Sequence, residues 1–311
     1  MAQTPDFFAQ NAGTDGETPP IAGQVDGWFT EEWAGEGAAI SFQIKRKLAE
    51  KQSAFQKVEV FETARFGNLL TLDGLVMVTT RDNFYYHEML SHPALFTHPE
   101  PKDVLIIGGG DCGTMQQVLR HRSVQKATQV EIDEDVTRLS EIYFPELCSD
   151  NGDPRAAFHF EDGIEWVRRA APGSYDVILV DGSDPLGPAA VLFSEEFYAA
   201  CHKALRPGGI MAGQSEAPLF HMDLLRHVHR TARAVGFDDC RTLFFPQCVY
   251  PSGSWSATLA RKGGDLAVPP AAALEARFSA LPSTMYYTPE IHAAAFAQPA
   301  FFRAGLAQDG L

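Results

Sequence analysis

The run Val104-Leu105-Ile106-Ile107, ending in Gly108-Gly109-Gly110, constrains this chain more than any other feature. Four consecutive apolar residues do not alternate, so both faces of such a strand need cover, as in a parallel sheet with helices on either side. The glycines behind it permit a turn tight enough to bring a helix N-terminus or a ligand against the strand end. The pattern repeats at Gln129-Val130-Glu131-Ile132, Phe158-His159-Phe160, Val177-Ile178-Leu179-Val180 and Gly209-Ile210-Met211-Ala212. Helices are expected between these strands, over 115–122, 135–143, 164–170 and 222–235, the last stopped by Gly236. Two later strands, 242–245 and 256–259, close the domain. The alternation predicts an α/β fold with a doubly wound parallel sheet over residues 101–311.

Residues 27–100 read differently. Val58, Val60 and Phe61 lead to a turn at Ala64-Arg65-Phe66-Gly67, and Leu69, Leu70 and Leu72 reach Asp73-Gly74, a hairpin signal, before Leu75-Val76-Met77-Val78. A small antiparallel β domain is expected, left by a helix opening near Tyr85-Tyr86-His87-Glu88-Met89-Leu90 and ending near Pro99 and Pro101. Residues 1–26, with Asp6, Asp15, Glu17 and Asp26 among Gly, Pro and Thr, lack apolar periodicity and are expected to form a disordered tail.

Net charge is −15, which argues against a nucleic-acid partner. It suits a cationic ligand, but acidity for solubility alone explains it equally well. No apolar run approaches the roughly 18 residues that span a bilayer. No signal peptide is expected, since the first basic residues are Lys45 and Arg46. Cys112, Cys148, Cys201, Cys240 and Cys248 show no metal-ligand spacing and read as free thiols in the cytoplasm.

Gly108, Gly110 and Gly113 satisfy G-x-G-x-x-G after a strand, and Glu131 stands where an acid takes ribose hydroxyls. Asp111 argues against a dinucleotide. It occupies the turn where pyrophosphate would rest, and two like charges about 4 Å apart cost roughly 4 kcal/mol at an effective dielectric near 20. Asp111 could instead merely cap the next helix, although Thr114 is available for that. Asp162-Gly163, after the third strand, suits an adenine amino group or a plain helix start. An adenosine bearing a positive sulfur fits Asp111, Glu131 and Asp162 better than a dinucleotide does.

After the fourth strand runs Asp181-Gly182-Ser183-Asp184-Pro185-Leu186-Gly187-Pro188. Alkylating an amine requires a neutral nitrogen, and a carboxylate beside it can hold the ammonium and then accept its proton. Asp181 is placed for that step and Asp184 for binding the amine. Gln214, Ser215 and Glu216 follow the fifth strand and can add polar contacts. Tyr86, His87 and Tyr250 can wall a cation site.

In these motifs the chain resembles the spermidine synthase family of polyamine aminopropyltransferases. The resemblance runs through Gly27-Trp28-Phe29, Leu72-Asp73-Gly74, Tyr86-His87-Glu88-Met89, Gly108-Gly109-Gly110-Asp111 and Val130-Glu131-Ile132-Asp133. It continues through Asp162-Gly163, the 181–188 loop and Tyr250-Pro251-Ser252-Gly253. It implies decarboxylated S-adenosylmethionine as co-substrate, with no permanently bound cofactor, and a diamine such as putrescine as acceptor. It implies methylthioadenosine as second product. Gln56, Glu131, Asp162 and Pro188 would contact the nucleoside, and Asp111 the donor's amine. His87 would lie near the diamine, with Trp28, Tyr86 and Tyr250 around it. Asp181 would be the proton acceptor and Asp184 its partner. A methyltransferase-like Rossmann domain behind an N-terminal β domain is implied, assembled as a homodimer or homotetramer. The chain departs from the family pattern at Cys112, where glycine is usual, at Gln116-Gln117, at Gly182 and across 214–218. A methyltransferase using intact S-adenosylmethionine, a dehydrogenase and a non-catalytic polyamine-binding protein are the rival readings.

Overall fold

The computed structural model describes residues 27–184, 187–308 and 310. The expected tail lies outside them. The first sheet holds β1 (Trp28–Trp33), β2 (Ala38–Gln52), β3 (Lys57–Thr63), β4 (Asn68–Leu72) and β5 (Leu75–Thr79), antiparallel and in chain order. Asp73 and Gly74 join β4 to β5 with φ of 49° and 84°, the left-handed pair a two-residue hairpin requires. Strands β1 and β2 precede the region where the sequence pattern begins. Ile40, Phe42 and Ile44 do alternate, but β2 continues into the charged run Lys45-Arg46-Lys47, which hides the period.

Helix α1 (Asn83–Thr97) joins the two sheets and is buried on every side from Tyr86 to Thr97. The second sheet comprises β6 (Asp103–Gly108), β7 (Lys126–Glu131), β8 (Ala156–Phe160), β9 (Tyr175–Asp181), β10 (Leu205–Gln214), β11 (Asp239–Pro246) and β12 (Ser254–Arg261), in the order β11-β12-β10-β9-β6-β7-β8. Five of these are parallel, as the apolar runs predict. The pair β11–β12 is antiparallel, and so is β12 with β10, which makes the sheet mixed. The seven residues 247–253 between β11 and β12 are too few for a parallel crossover, which needs a dozen or more.

The helices are α2 (Gly113–Leu119), α3 (Glu134–Tyr143), α4 (Gly163–Arg169), α5 (Glu195–Ala204), α6 (Met222–Ala234), α7 (Ala271–Phe278), α8 (Pro289–Ala295) and α9 (Ala300–Ala307). Strand residues split between two cores by parity. Val104, Ile106, Val177 and Leu179 pack with Met89, Val118 and Leu274 on one face. Leu105, Ile107, Ile178 and Val180 pack with Val167, Phe197 and Leu224 on the other. Both faces are therefore covered, as doubly wound sheets require. The chain reverses direction across the sheet between β6 and β9, and an open α/β sheet takes ligands at such a switch point. No helix among the described residues is long and apolar enough to cross a membrane.

Candidate active site

The loops after β6 and β9 meet at that switch point. Gly109 N donates to Asp181 O at 2.9 Å. Gly108 is left-handed, φ 83°, and a Cβ there would lie 2.2 Å from Asp181 O, so only glycine admits this approach. Gly110 stands where a Cβ would meet the Glu131 carboxylate at 3.1 Å. A Cβ on Gly113 would strike the His87 ring at 2.2 Å. The glycines thus let the Asp181 backbone, the Glu131 carboxylate and the His87 ring crowd one turn.

Asp181 is held from both sides. Tyr86 Oη donates to its Oδ1 at 2.8 Å and Thr114 Oγ1 to its Oδ2 at 2.6 Å. Burial, then the neighbouring Asp111 charge, raise its pKa, and His87 with the two hydroxyls partly offset this. A carboxylate made more basic in this way is a better proton acceptor. Burial keeps Tyr86 protonated, so it remains a donor.

Asp111 pairs with His87, whose Nε2 lies 3.0 Å from Asp111 Oδ2. Burial opposes both charges, but their mutual attraction wins. It raises the His87 pKa and lowers that of Asp111. Asp111 Oδ1 also accepts from Gly113 N at 2.9 Å, so part of its role is local turn closure. Thr114, available in the sequence as the cap of α2, does not cap. Its hydroxyl turns to Asp181, and the cap position falls to Cys112, left-handed at φ 69° with no side-chain cap bond. One atom each of His87, Asp111 and Asp181 lie within 4.8 Å of one another, a spacing a cation could use, but these groups are committed to the bonds just given.

At the end of β7, Glu131 is buried and accepts from Asp133 N at 2.8 Å. Burial pushes its pKa up to about 7. Gln56, in the β2–β3 connection, donates to Asp133 Oδ2 at 3.0 Å, which joins the first sheet to this corner. Asp162 caps α4 through Oδ1, 2.8 Å from Ile164 N, so the plain helix-start reading holds for that oxygen. Gly163 brings α4 against Ile107, where a Cβ would clash at 2.6 Å. Pro188 falls in the 3₁₀ turn Gly187–Phe193, and its side chain lies outside the described parts, as do Pro185 and Leu186.

Beyond Asp181 a cavity is lined by Glu31, Asp184, Gln214, Tyr86, Tyr250 and Trp255. Asp184 shares a hydrogen bond with Glu216, and burial raises the pKa of both, Glu216 well above the carboxylate range. Gln214 Nε2 donates to Glu216 Oε1 at 3.0 Å. Glu31 accepts from Val76 N at 2.7 Å and Trp33 Nε1 at 2.5 Å, and burial raises its pKa too. Tyr250 Oη donates to Met77 O and its ring meets Trp255 at 4.7 Å. Trp28 does not line this cavity. It is 42% exposed at the start of β1, and the indole at the wall is that of Trp255. A larger groove bordered by Lys45, Arg46 and Arg65 lies elsewhere, with charge of the wrong sign for a cation.

Glu31 and Trp255, which line the cavity, and Thr114, which bonds Asp181, are residues of the candidate site that sequence reasoning missed. Thr114 had a signal, a hydroxyl one residue past the glycine loop. Glu31 and Trp255 had none, because each reaches the cavity only through tertiary packing.

A family model described as the spermine/spermidine synthase domain matches residues 83–267, and one described as the spermidine synthase tetramerisation domain matches residues 27–80. The polyamine aminopropyltransferase of Methylococcus capsulatus is 56% identical over 275 residues, covering 88% of this chain and 95% of that protein. Its counterpart in Thioalkalivibrio sulfidiphilus is 54% identical over 278 residues, covering 89% and 96%. A crystal structure of spermidine synthase in complex with the transition-state analogue AdoDATO matches with a TM-score of 0.85 at 36% identity, over 90% of this chain and 95% of that one. Spermidine synthase from Thermotoga maritima matches at 0.83, with 36% identity over 90% and 94%. With both sheets matched and acids gathered at the ends of β6, β7 and β9, this chain belongs to the spermine/spermidine synthase family of polyamine aminopropyltransferases.

Proposed function

We propose that the protein transfers the aminopropyl group of decarboxylated S-adenosylmethionine to putrescine, giving spermidine and methylthioadenosine. The observation that carries this reading is a set of buried and half-buried acids that act on one another around Tyr86 and Tyr250. Glu131 neighbours Asp181, Asp181 neighbours Asp111, and Asp184, Glu216 and Glu31 form a second group. In this reading Glu131 receives the ribose hydroxyls, with Gln56, Gly108, Gly110, Asp162, Gly163 and Pro188 around the nucleoside. Asp111, ionised by its pairing with His87, receives the donor's ammonium and disfavours a carboxylate there. Asp184, Glu216 and Glu31, with Gln214, hold the far ammonium of the diamine, and Tyr86 and Tyr250 flank its chain.

Asp181 takes the proton from the attacking nitrogen. Tyr86 and Thr114 fix the carboxylate's orientation and leave it the acceptor. The nitrogen's lone pair then attacks the donor carbon next to sulfur, the carbon–sulfur bond breaks, and the positive charge leaves the sulfur. The donor is a co-substrate consumed in each turnover. A homodimer or homotetramer is the assembly that accords with the family's N-terminal domain.

The test is release of methylthioadenosine on mixing the protein and donor with putrescine, cadaverine, agmatine or spermidine. Fastest release with putrescine supports the assignment. Preference for another amine replaces the acceptor, and no release with any of them refutes the transferase reading for this chain.

A further inference from the structure

The loop after β6 carries a thiol that the transfer chemistry does not use. Cys112 is fully buried at the start of α2, and its backbone is left-handed at φ 69°, a conformation that favours glycine and disfavours any side chain. A second thiol, Cys148, lies half-buried on the segment after α3. Cys112 Sγ is 3.7 Å from Gly110 O, and Cys148 Sγ is 3.7 Å from Asp111 O. The two sulfurs therefore grip successive carbonyls on either side of Asp111. Cys148 is the neighbour that acts most strongly on the Cys112 thiol, and Asn151 Nδ2 approaches Cys112 Sγ at 3.5 Å. Cys201 and Cys240, by contrast, are sealed in the core, and Cys248 is exposed.

We propose that Cys112 and Cys148 form a reversible disulfide on exposure to a peroxide, and that this cross-link withdraws Asp111 from the donor site. Cys148, the more accessible sulfur, attacks one peroxide oxygen. The O–O bond breaks, water leaves, and Cys148 becomes a sulfenic acid. Cys112 Sγ then attacks the Cys148 sulfur, the S–O bond breaks, and the hydroxyl departs as water with the Cys112 proton. Two thiols lose two electrons and one peroxide becomes two waters. The neighbouring Cys148 thiol, then burial, hold the Cys112 thiol protonated, so its proton must pass to the departing hydroxyl as the S–S bond forms.

Closing the bond draws the sulfurs to about 2.05 Å. Cys112 must then leave Gly110 O and Asn151, and the peptide between them carries Asp111 and its bonds to His87 and Gly113. The effect on donor binding rests on the role proposed above for Asp111. The cross-link itself does not.

The test uses the full chain with Cys248→Ser to remove the exposed thiol. After hydrogen peroxide and alkylation, peptide mass mapping should find residues 112 and 148 linked, and dithiothreitol should release them. Methylthioadenosine affinity should fall by about tenfold or more on oxidation, within the range of coupled sites, and return on reduction. Cys148→Ser should keep its basal activity and resist peroxide. Cys112→Gly, suited to the left-handed backbone, should resist it as well. Absence of the linked peptide overturns the disulfide, and a linked peptide with unchanged affinity overturns the switch. If the reduced protein binds no methylthioadenosine, the donor reading fails, while the linked peptide still decides the disulfide.

Discussion

Asp181, half-buried, and Glu131, buried, are both acids with raised pKa, yet their surroundings fit them for different work. Asp181 accepts two hydroxyl donors, one of them from Tyr86 at the cavity wall, and in the proposed reaction it takes a proton. Asp181→Asn should lower turnover by about two to four orders of magnitude, the range for loss of an acid–base group. Methylthioadenosine affinity should persist. Turnover in the wild type should climb as pH rises through the raised Asp181 pKa, because only the ionised carboxyl accepts a proton. Steady-state rates across pH decide this, and near-normal turnover in the variant removes the assignment. Glu131 is different, since its carboxyl faces the glycine loop. Its pKa rises from 4.5 to about 7, so in that window the folded protein holds a proton the unfolded chain has released. Stability from this group is complete below about pH 4.5 and is lost as pH rises through 7, by about 3 kcal/mol. Ribose hydroxyls donating to the ionised form would bind more tightly as pH rises from 6 to 8. Glu131→Gln should weaken methylthioadenosine binding by about one to two orders of magnitude, remove that pH dependence, and raise the melting temperature of the free protein at pH 8. Calorimetric titration at both pH values tests it, and unchanged affinity would mean another residue holds the sugar.

At the scale of elements, much of the Rossmann half was legible and much of the site's far wall was not. Strands β6 and β9 announce themselves as unbroken apolar runs, and their ends carry Asp111, Asp181 and Asp184, so adjacency in sequence predicted adjacency in the cleft. Glu31 sits on β1, whose alternation spans only six residues, and its partner Asp184 is far away in the chain. Trp28 is the expected cavity aromatic, but packing leaves it exposed and sets Trp255 at the wall instead. Helices α7 to α9 carried no motif and were not anticipated, yet the segment before α8 is fastened to the core by Glu88. Its carboxylate accepts from Met285 N at 2.7 Å and from Tyr286 N and Tyr287 N at 2.8 Å each. Glu88 directly follows His87 on α1, so this clasp steadies the helix that presents His87 and Tyr86. Glu88→Ala leaves three backbone donors unpaired and should destabilise the fold by about 3 to 5 kcal/mol. Thermal unfolding measures it. A loss under about 1 kcal/mol would mean solvent reaches those amides once the side chain is gone.

Across the whole molecule the cavity proposed for the acceptor is shared. Glu31 and Met77 come from the first sheet, while Asp184, Gln214, Tyr250 and Trp255 come from the second. Neither sheet encloses the cavity alone, so a diamine bound there ties the two together. Glu31 is preset by its own sheet through Val76 N and Trp33 Nε1, and burial followed by the Asp184 charge raises its pKa. A ligand with an ammonium at that end would relieve three crowded acids at once, which neutral or anionic ligands cannot do. Ligand at 100 times its Kd adds about 2.7 kcal/mol to folding stability. Methylthioadenosine and putrescine should therefore each raise the melting temperature, and together raise it further. In Glu31→Gln the nucleoside shift should remain and the diamine affinity should drop by about tenfold or more, as expected for loss of one buried charge-assisted contact. Thermal shifts with each ligand alone and with both distinguish the sites. A full putrescine shift in Glu31→Gln would place the acceptor within the second sheet alone and reduce the first to a support.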